Sequence, residues 1–431
     1  MVEIIQYEEL AFPEVAHLLR DVPMLIPLGE ADGYDWDEVA DRVRERTRRR
    51  ADRVCVFPAV PFGFRTRQPA LKRLAVDPAL FRRMLASLIA SVREDGFTRV
   101  FVVNGQAPSG FRSSDVPMIH AKWNGAVGRP TPNKAAIKWG CANENGNQVV
   151  LIATGHTEQH AFHLPLNTDT LIIGAIAEGV ERVLSRSPDP ERSEGEEEGE
   201  GAADGPQAVF RLPTWPYGVS MHRRQFPGTL TIDPRAWEDF WVAIVGNLRA
   251  LGFRMAYLIN GHGGNHSFLV NVVKFCGDRW PDTFVATAFL HTSSGPGAEA
   301  LAKHRTSAIG GIGHACELET SYILHLRPDL VRMELADDEV DFTATPSYYM
   351  DWIEGGALIA NPPWTDDTVT GAYGAATQGT AEKGRLWLEA AVEEKAGHVR
   401  EIIEQHRRRT ERREEDWVTG SWRKHPKLEK Q

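Results

Sequence analysis

Residues 157–169 combine several side chains that can bind a metal ion. The segment reads TEQHAFHLPLNTD and follows the apolar, strand-like stretch 149–154. Glu158 and His160 are two residues apart, so in an extended loop they can point to one side, and Asp169 adds a second carboxylate. Carboxylates and imidazoles that follow the carboxyl end of a strand in an open parallel sheet are well placed to converge. We therefore predict a metal site here.

Two further segments supply side chains of the same types. The next strand-like stretch ends in the sequence NGHGGN, which contains His262. A third segment, 313–321, reads GHACELETS and supplies His314 together with Glu317 and Glu319. Each segment alone is compatible with a buried histidine or a helix cap, but three such clusters at strand ends together favour a metal site. A phosphate-binding loop at His262 is disfavoured, because the lysine and the glycine spacing of such loops are missing.

These segments resemble the motifs of the creatininase family. Members share a Glu-Gln-His-x-x-His-Leu-Pro segment with a downstream Asp, an Asn-Gly-His turn and a His-Ala-x-x-x-Glu-Thr-Ser segment, and all three occur here in family order. The resemblance covers about residues 149–404. By position it implies that Glu158, His160, Asp169 and His262 are metal ligands, with Asp169 bridging two ions.

The resemblance leaves the fifth ligand open. It implies that His314 is a catalytic histidine, and Glu319 is our choice for the remaining carboxylate, although Glu317 could serve instead. Creatininase itself has a glutamate two residues after the Asn-Gly-His histidine, where this chain has Gly264. This departure argues against creatinine as the substrate.

The predicted ligands suit two divalent ions of zinc, manganese or iron per active site. Such ions supply activated hydroxide and polarise a carbonyl, and His314 could then protonate the leaving group. The resemblance implies a metal-dependent hydrolase of a small polar substrate, and we expect cleavage of an amide-type C–N bond, cyclic or formyl. The alternatives are hydrolytic ring opening of a cyclic diketone such as a ketoinositol, peptide trimming, and a catalytically silent metal-binding scaffold.

Alternating strands and helices must position these side chains. Apolar strand-like stretches alternate with helical patterns, which predicts an α/β fold with a mostly parallel sheet covered by helices on both faces. One helix is predicted from Pro234 to Leu251, with Asp233 as its N-cap. It leads into the strand that ends before His262.

The first part of the chain repeats the spacing of the second. Three residue pairs recur without a gap: Asp77-Pro78, Gly96-Phe97 and Asn104-Gly105 as Asp233-Pro234, Gly252-Phe253 and Asn260-Gly261. A chance match of turn signals is the alternative, but the equal spacing favours duplication. Gln106 stands where the second copy has His262. We therefore predict a truncated, degenerate copy without metal ligands at residues 1–115, a linker at 116–148 and the catalytic domain at 149–404.

Two charged segments flank or interrupt the predicted catalytic domain. Residues 185–207 are rich in Glu, Gly, Ser and Pro, which predicts a disordered acidic loop, and residues 405–431 form a charged C-terminal tail. Five aromatic residues could line a substrate pocket, although core or interface packing is the commoner role of such residues: Trp215, Tyr217, Tyr348, Tyr349 and Trp352.

The composition limits the class of protein. The 431 residues carry a net charge of -10, which argues against a nucleic-acid partner, and no long apolar run predicts a membrane span. The four cysteines are far apart and form neither a zinc knuckle nor a disulfide framework. We expect a cytoplasmic protein that acts on a small-molecule substrate and, by the family resemblance, forms a homo-oligomer.

Overall fold

The computed structural model describes residues 1–66, 71–105, 116–123, 148–185, 209–291, 294–348, 351–352 and 355–414. Within these ranges, two parallel sheets and one small antiparallel sheet are covered by helices. None of the helices in the same ranges combines the length and the apolar composition that a membrane crossing requires.

The first unit contains a five-stranded parallel sheet. Its strands are β1 (Glu3–Gln6), β2 (Met24–Pro27), β3 (Arg53–Val56), β4 (Val100–Asn104) and β5 (Met118–His120), and its helices are α1 (Phe12–His17), α2 (Trp36–Thr47) and α3 (Pro78–Glu94). The strand order is β1-β3-β2-β4-β5, and every neighbouring pair is parallel.

The second unit is built on a four-stranded parallel sheet. Its strands are β6 (Val149–Thr154), β7 (Val209–Arg211), β8 (Met255–Asn260) and β9 (Phe284–Phe289). Its helices are α4 (Thr168–Leu184), α5 (Pro234–Ala250), α6 (His266–Arg279), α7 (Pro296–His304), α8 (Glu317–Leu326) and α9 (Ala381–Glu414). The antiparallel strands β10 (Ile312–His314), β11 (Asp338–Glu339) and β12 (Tyr373–Ala375) form a separate sheet in the order β10-β12-β11.

Helices cover both faces of the second sheet, as the sequence predicts. Successive side chains of a strand point to opposite faces, and along β6 they enter different apolar clusters. Leu151 packs in a cluster with Trp387 of α9, whereas Ile152 packs in another with Trp241 of α5. The predicted fold class, a mostly parallel α/β sheet between helical layers, is therefore confirmed.

The two parallel sheets share one topology. The order β3-β2-β4-β5 of the first sheet matches β7-β6-β8-β9 of the second when both are read from the same edge. The chain continues past the first central strand in the same way in both units, because Leu28 bridges Val60 and Thr154 bridges Trp215, each in parallel register. A degenerate copy of the second framework thus precedes it in the chain.

Equivalent helices of the two units also begin and end alike. The Asp77 side chain accepts a hydrogen bond from a backbone N–H at the start of α3, and the Asp233 side chain does the same at the start of α5. Both helices have proline at the first position, which suits a residue without an N–H. Beyond their ends, Gly96 (φ 91°) and Gly252 (φ 98°) take the left-handed conformation that reverses the chain. These devices explain why the spacing recurs.

The structure differs from the predicted boundaries at two places. The segment predicted as a linker, 116–148, contains strand β5, which extends the first sheet by pairing in parallel with β4. The segment predicted as a tail, 405–431, begins as helix: α9 runs to Glu414, and Arg407 pairs with Glu404 and Glu411 one turn to either side. Residues 186–207 of the predicted acidic loop and Gln106 lie outside the described residues, and the domain limits stay a prediction.

The two units share one apolar core. Phe62 of the first unit is fully buried, and its ring centroid lies 5.2 Å from that of Trp215 in the second. The Tyr217 hydroxyl donates a hydrogen bond to the Pro58 carbonyl, and Arg83 forms an ion pair with Asp233 at 3.2 Å. The first unit therefore completes the packing of the second.

We expect the variant Phe62→Ala to lower the free energy of unfolding by about 3–5 kcal/mol, the usual cost of removing a buried phenylalanine ring. Urea unfolding followed by tryptophan fluorescence measures the loss. The matched control is Val369→Ala, since Val369 is 84% exposed and its truncation should change stability by less than about 0.5 kcal/mol. Equal effects of the two variants would contradict a shared core.

Candidate metal centre

The predicted site lies at the carboxyl edge of the second sheet. Strands β6 and β8 are adjacent and parallel, and Thr154 and Asn260 pair at their ends. The loop that carries Glu158 and His160 therefore starts beside the turn that carries His262. All three side chains are buried, so the strand ends bring the predicted ligands into a dry cluster.

Asp169 connects two groups of ligands within this cluster. It lies in the first turn of α4 and is 2% exposed. Its Oδ1 lies 3.2 Å from His160 Nε2, and its Oδ2 lies 3.0 Å from His262 Nδ1. Asp169 Oδ2 is buried and accepts no hydrogen bond. One carboxylate thus faces an imidazole on either side, as a carboxylate that bridges two cations would.

Glu158 lies on the His262 side of Asp169. Its Oε1 is 3.1 Å from His262 Nδ1, and its Oε2 accepts a 2.7 Å hydrogen bond from the Ser220 hydroxyl. The guanidinium of Arg223 also pairs with Glu158 Oε1. Glu158 is therefore held from two sides by groups of the loop that follows β7.

Glu319, and not Glu317, joins the cluster. Its Oε1 lies 3.8 Å from His160 Nε2, and its Oε2 accepts the backbone N–H of Ala315. Glu317 points elsewhere: its Oε1 pairs with Lys383 Nζ at 2.6 Å and accepts the Thr306 N–H at 2.9 Å. The geometry therefore favours Glu319 for the position that the sequence left open.

Backbone carbonyls determine which ring nitrogen of each histidine faces the cluster. His160 Nδ1 lies 3.1 Å from the Glu158 carbonyl, and His262 Nε2 lies 3.0 Å from the Val219 carbonyl. His314 Nε2 lies 2.7 Å from the carbonyl of Gln159. Because a carbonyl oxygen only accepts, each of these nitrogens carries the proton. In His262 and His314, which are neutral, the opposite nitrogen presents a lone pair to the cluster, and His160 would do the same once a metal ion replaced its second proton.

His156 is a buried histidine of the cluster that the sequence reading missed. It stands two residues before Glu158, the same spacing that predicts Glu158 and His160 on one side of the loop, and its Nε2 lies 3.9 Å from Glu158 Oε2. Its proximity to Glu158 and His262 would allow a metal group, but its Nδ1 accepts the Gly218 N–H at 2.8 Å. The neutral ring therefore carries its proton on the unpartnered Nε2 and offers a donor, not a lone pair.

The electrostatics of the cluster favour an added cation. Burial alone would lower the pKa of His160, but Asp169 and Glu319 outweigh it and raise that pKa to about 9. Burial would raise the pKa of Asp169, yet the protonated His160 holds it well below its usual range. Burial lowers the pKa of His262 and His314, which keeps both rings neutral. The carboxylates therefore hold a proton on His160 at the place where a metal ion would bind.

The donor set fits a divalent metal. One group consists of His160, Asp169 and Glu319, with candidate ligand atoms within 4.8 Å of one another. On the other side, His262 Nδ1 contacts carboxylate oxygens of both Glu158 and Asp169. Imidazole nitrogen and carboxylate oxygen together suit zinc, manganese or iron. The unpartnered Asp169 Oδ2 in a buried site is the observation that a bound cation would explain.

Backbone geometry leaves little freedom around these ligands. Ala161 (φ 53°) and Ala315 (φ 47°), which follow His160 and His314, adopt the left-handed conformation that side chains disfavour by about 1–2 kcal/mol. At Gly264 a Cβ would lie 2.2 Å from the Val219 carbonyl oxygen. A glutamate therefore does not fit there, which accounts for the departure noted in the sequence.

Arg223 is a second buried residue of the cluster that the sequence analysis did not predict. It is 2% exposed, and its guanidinium carbon lies 3.7 Å from the ring centroid of Trp364. Its Nη1 lies 2.9 Å from His314 Nδ1 as well as pairing with Glu158. Burial lowers the pKa of Arg223 to about 9, which still leaves the side chain protonated near neutral pH. No motif marks this arginine in the sequence.

A cavity of about 650 Å³ opens beside the cluster and is lined by Arg223, Gly263 and Gly264. The aromatic residues noted in the sequence lie in two different places. Tyr348 and Trp352 line the cavity, whereas Trp215 and Tyr217 are buried in the shared core. Tyr349 lies outside the described residues. The cavity provides a route by which a small molecule can approach the cluster.

Comparisons with known proteins agree on one family. The family model described as creatinine amidohydrolase matches residues 135–399. A 3-dehydro-scyllo-inosose hydrolase of Thermotoga maritima is 26% identical over 274 residues, 59% of this chain and 78% of that protein. A mycofactocin precursor peptide peptidase of Mycobacterium tuberculosis is 28% identical over 247 residues, 57% of this chain and 82% of that protein. A crystal structure of creatinine amidohydrolase aligns with a TM-score of 0.46 and 22% identity, covering 60% of this chain and 91% of that one.

Two neighbouring glutamates on α8 test the ligand assignment. We expect Glu319→Gln to reduce the metal bound per chain, because the substitution removes a charged donor beside His160. Glu317→Gln should retain the metal and lower only the free energy of unfolding, since it breaks the buried pair with Lys383. Elemental analysis after dialysis, together with urea unfolding, measures both effects. Metal loss in Glu317→Gln alone would contradict the assignment.

Proposed function

Because this chain belongs to the creatininase family, whose members are metal-dependent hydrolases, we propose that it hydrolyses an amide-type C–N bond, cyclic or formyl, in a small polar substrate. The observation that carries the proposal is the Asp169 carboxylate, whose two oxygens face His160 and His262 separately. Such a carboxylate suits a pair of ions that act together on one carbonyl group.

We propose that each ion has its own set of ligands. His160, Asp169 and Glu319 would hold one ion, and Glu158, Asp169 and His262 would hold the other. Zinc, manganese and iron all suit these donors. When bound, the pair supplies Lewis-acid polarisation of the substrate carbonyl and lowers the pKa of a water molecule towards neutrality. The cavity beside Arg223 admits the substrate to this centre.

His314 is the proposed proton carrier of the reaction. Its Nε2–H donates to the Gln159 carbonyl, so its Nδ1 faces the cluster as a proton acceptor. Hydrolysis adds water to the carbonyl carbon and breaks its bond to nitrogen, and the nitrogen must gain a proton to leave. His314 Nδ1 accepts the proton that the water loses and transfers it to the leaving nitrogen. Burial lowers the pKa of His314, so the ring is neutral at the start of the reaction.

A second candidate function is hydrolytic ring opening of a cyclic diketone such as a ketoinositol. It is favoured by the similarity to a protein named as an inosose hydrolase, which covers 78% of that protein. The same residues serve both reactions, because water again adds to a carbonyl carbon. In this case a C–C bond breaks, and the proton goes to the leaving carbon. The two functions therefore differ in the substrate and not in the centre.

A substrate panel tests the proposed function. We expect the zinc-, manganese- or iron-loaded protein to hydrolyse at least one member of a set of lactams, formamides and cyclic ketones. Removal of the metal by a chelator should abolish the activity, and re-addition should restore it. Liquid chromatography with mass spectrometry measures the products. A fully metal-loaded protein that turns over no member of the panel would favour a metal-binding scaffold instead.

A variant of His314 provides a control for the substrate panel. The variant His314→Asn should keep the metal content and lower kcat by roughly 10²- to 10⁴-fold, the usual contribution of a general acid-base group. The matched control is His325→Asn, because His325 lies in the following helix α8 and is exposed. Unchanged turnover in His314→Asn would remove His314 from the mechanism and leave the metal assignment intact.

We also propose that the protein forms a homo-oligomer, as its family resemblance implies. The first unit already covers one face of the second through the core around Phe62 and Trp215. This internal contact occupies a surface that a neighbouring subunit would otherwise cover, so we expect an oligomer of low order. Size-exclusion chromatography with light scattering measures the mass, and a strictly monomeric protein would contradict the proposal.

A further inference from the structure

Arg223 is an unusual component of a site that binds divalent cations. A buried guanidinium repels a metal ion, and in this structure Arg223 pairs with Glu158, one of the proposed ligands. Its Nε is buried without a hydrogen-bond partner. Such a cation is costly to bury unless it has an anionic partner. If Glu158 binds a metal ion, Arg223 needs another anion as its partner.

The charge of the cluster changes sign when metal binds. Glu158, Asp169 and Glu319 carry three negative charges, and Arg223 carries one positive charge. With His160 neutral, as a metal ligand must be, these charges sum to two negative. Two divalent ions, as in the proposed function, would bring the sum to two positive, and one hydroxide would leave one positive charge. Without Arg223, the charges of the metal ions, the three carboxylates and the hydroxide would sum to zero. Arg223 therefore adds the charge that a further anion must neutralise.

The cavity offers no other anion for this role among its described lining residues. Asp351 forms an ion pair with Arg305 at 2.6 Å, and Asp367 accepts a 2.5 Å hydrogen bond from the Tyr373 hydroxyl. Arg223 is also the single lysine or arginine among the residues that line the cavity in the described part of the chain. The missing anion is therefore expected to enter with the substrate.

We propose that Arg223 binds a carboxylate of the substrate, so that this enzyme acts on small amides that carry a carboxylate near the scissile bond. The inference rests on the proposed function, in which Glu158 would bind a metal ion and no longer serve as the anionic partner of Arg223. The guanidinium carbon lies 3.7 Å from the centre of the Trp364 ring, and the planar donors of a guanidinium match a carboxylate in one plane. Arg223 lines the cavity and contacts His314, so it holds the substrate between the entrance and the reacting groups.

Matched pairs of ligands test the inference. We expect the metal-loaded protein to prefer N-formylglycine over N-formylglycinamide, and 5-oxoproline over its carboxamide, by roughly 10- to 100-fold in kcat/KM, the range of a charge-assisted hydrogen bond. Calorimetric titration with propionate and propionamide gives a readout that is independent of turnover. Propionate should bind more tightly, and more tightly to metal-loaded than to metal-free protein.

Two arginine variants separate Arg223 from its surroundings. Arg223→Met should abolish the preference for the carboxylate in both assays, and Arg223→Lys should retain part of it. Arg224→Met is the matched control, because Arg224 is the adjacent residue and pairs with Glu94 at the surface; it should behave as the parent protein. Metal content and melting temperature of every variant are measured, so a folding defect in Arg223→Met is recognised and Arg223→Lys then decides.

The outcomes distinguish this inference from the proposed function. Propionate binding that survives in Arg223→Met with full metal content means that the carboxylate binds the metal ions, which overturns the inference. If Arg223→Met lowers kcat/KM equally for the acid and the amide member of each pair, Arg223 acts on the oxygen of the reacting carbonyl. This result also overturns the inference. If no pair is turned over but propionate binding depends on Arg223, the anion site stands and the proposed hydrolysis fails.

Discussion

The candidate centre depends on three backbone carbonyls that fix the protons of three buried imidazoles. The carbonyls of Glu158, Val219 and Gln159 each bind one ring nitrogen of His160, His262 or His314. If one of these carbonyls moved, the ring could turn and present an N–H where the cluster needs a lone pair. Two of the three belong to the loop after β6 that also carries the ligands. The path of this loop is therefore part of the chemistry, which explains why the chain tolerates left-handed Ala161 and Ala315 beside it.

The contrast between His156 and its neighbours follows from the same rule. His156 is as buried as His262, and the two ring centroids are 4.3 Å apart. Its hydrogen-bond partner is the N–H of Gly218 and not a carbonyl, so its other ring nitrogen has the opposite character. Two adjacent rings of one chemical type thus offer the site a donor and an acceptor. Burial and distance alone do not reveal this difference.

The sequence carries most of the fold and part of the site. Glu158, His160 and His262 follow apolar strands, and parallel strands bring their carboxyl ends to one edge, so their convergence could be predicted. The choice between Glu319 and Glu317 could not, because it depends on which face of α8 meets the cluster and on where Lys383 lies. Arg223 stands in a loop without a regular period, and its position depends on packing against Trp364. Strand β5 was missed because it has three residues, too few to show an alternating pattern.

The shared core has a consequence for how the two units are held together. Equivalent helices α3 and α5 pack against each other, and Arg83 of one pairs with the N-cap Asp233 of the other, so the contact resembles a dimer interface between two related halves. Joined in one chain, the halves meet at an effective concentration that dilution cannot lower. A subunit that can dissociate needs a surface with enough affinity to bind its partner from solution, whereas a tethered unit needs only a complementary surface. The first half is thereby free to vary in its own strand-end loops, provided that it continues to shape the second.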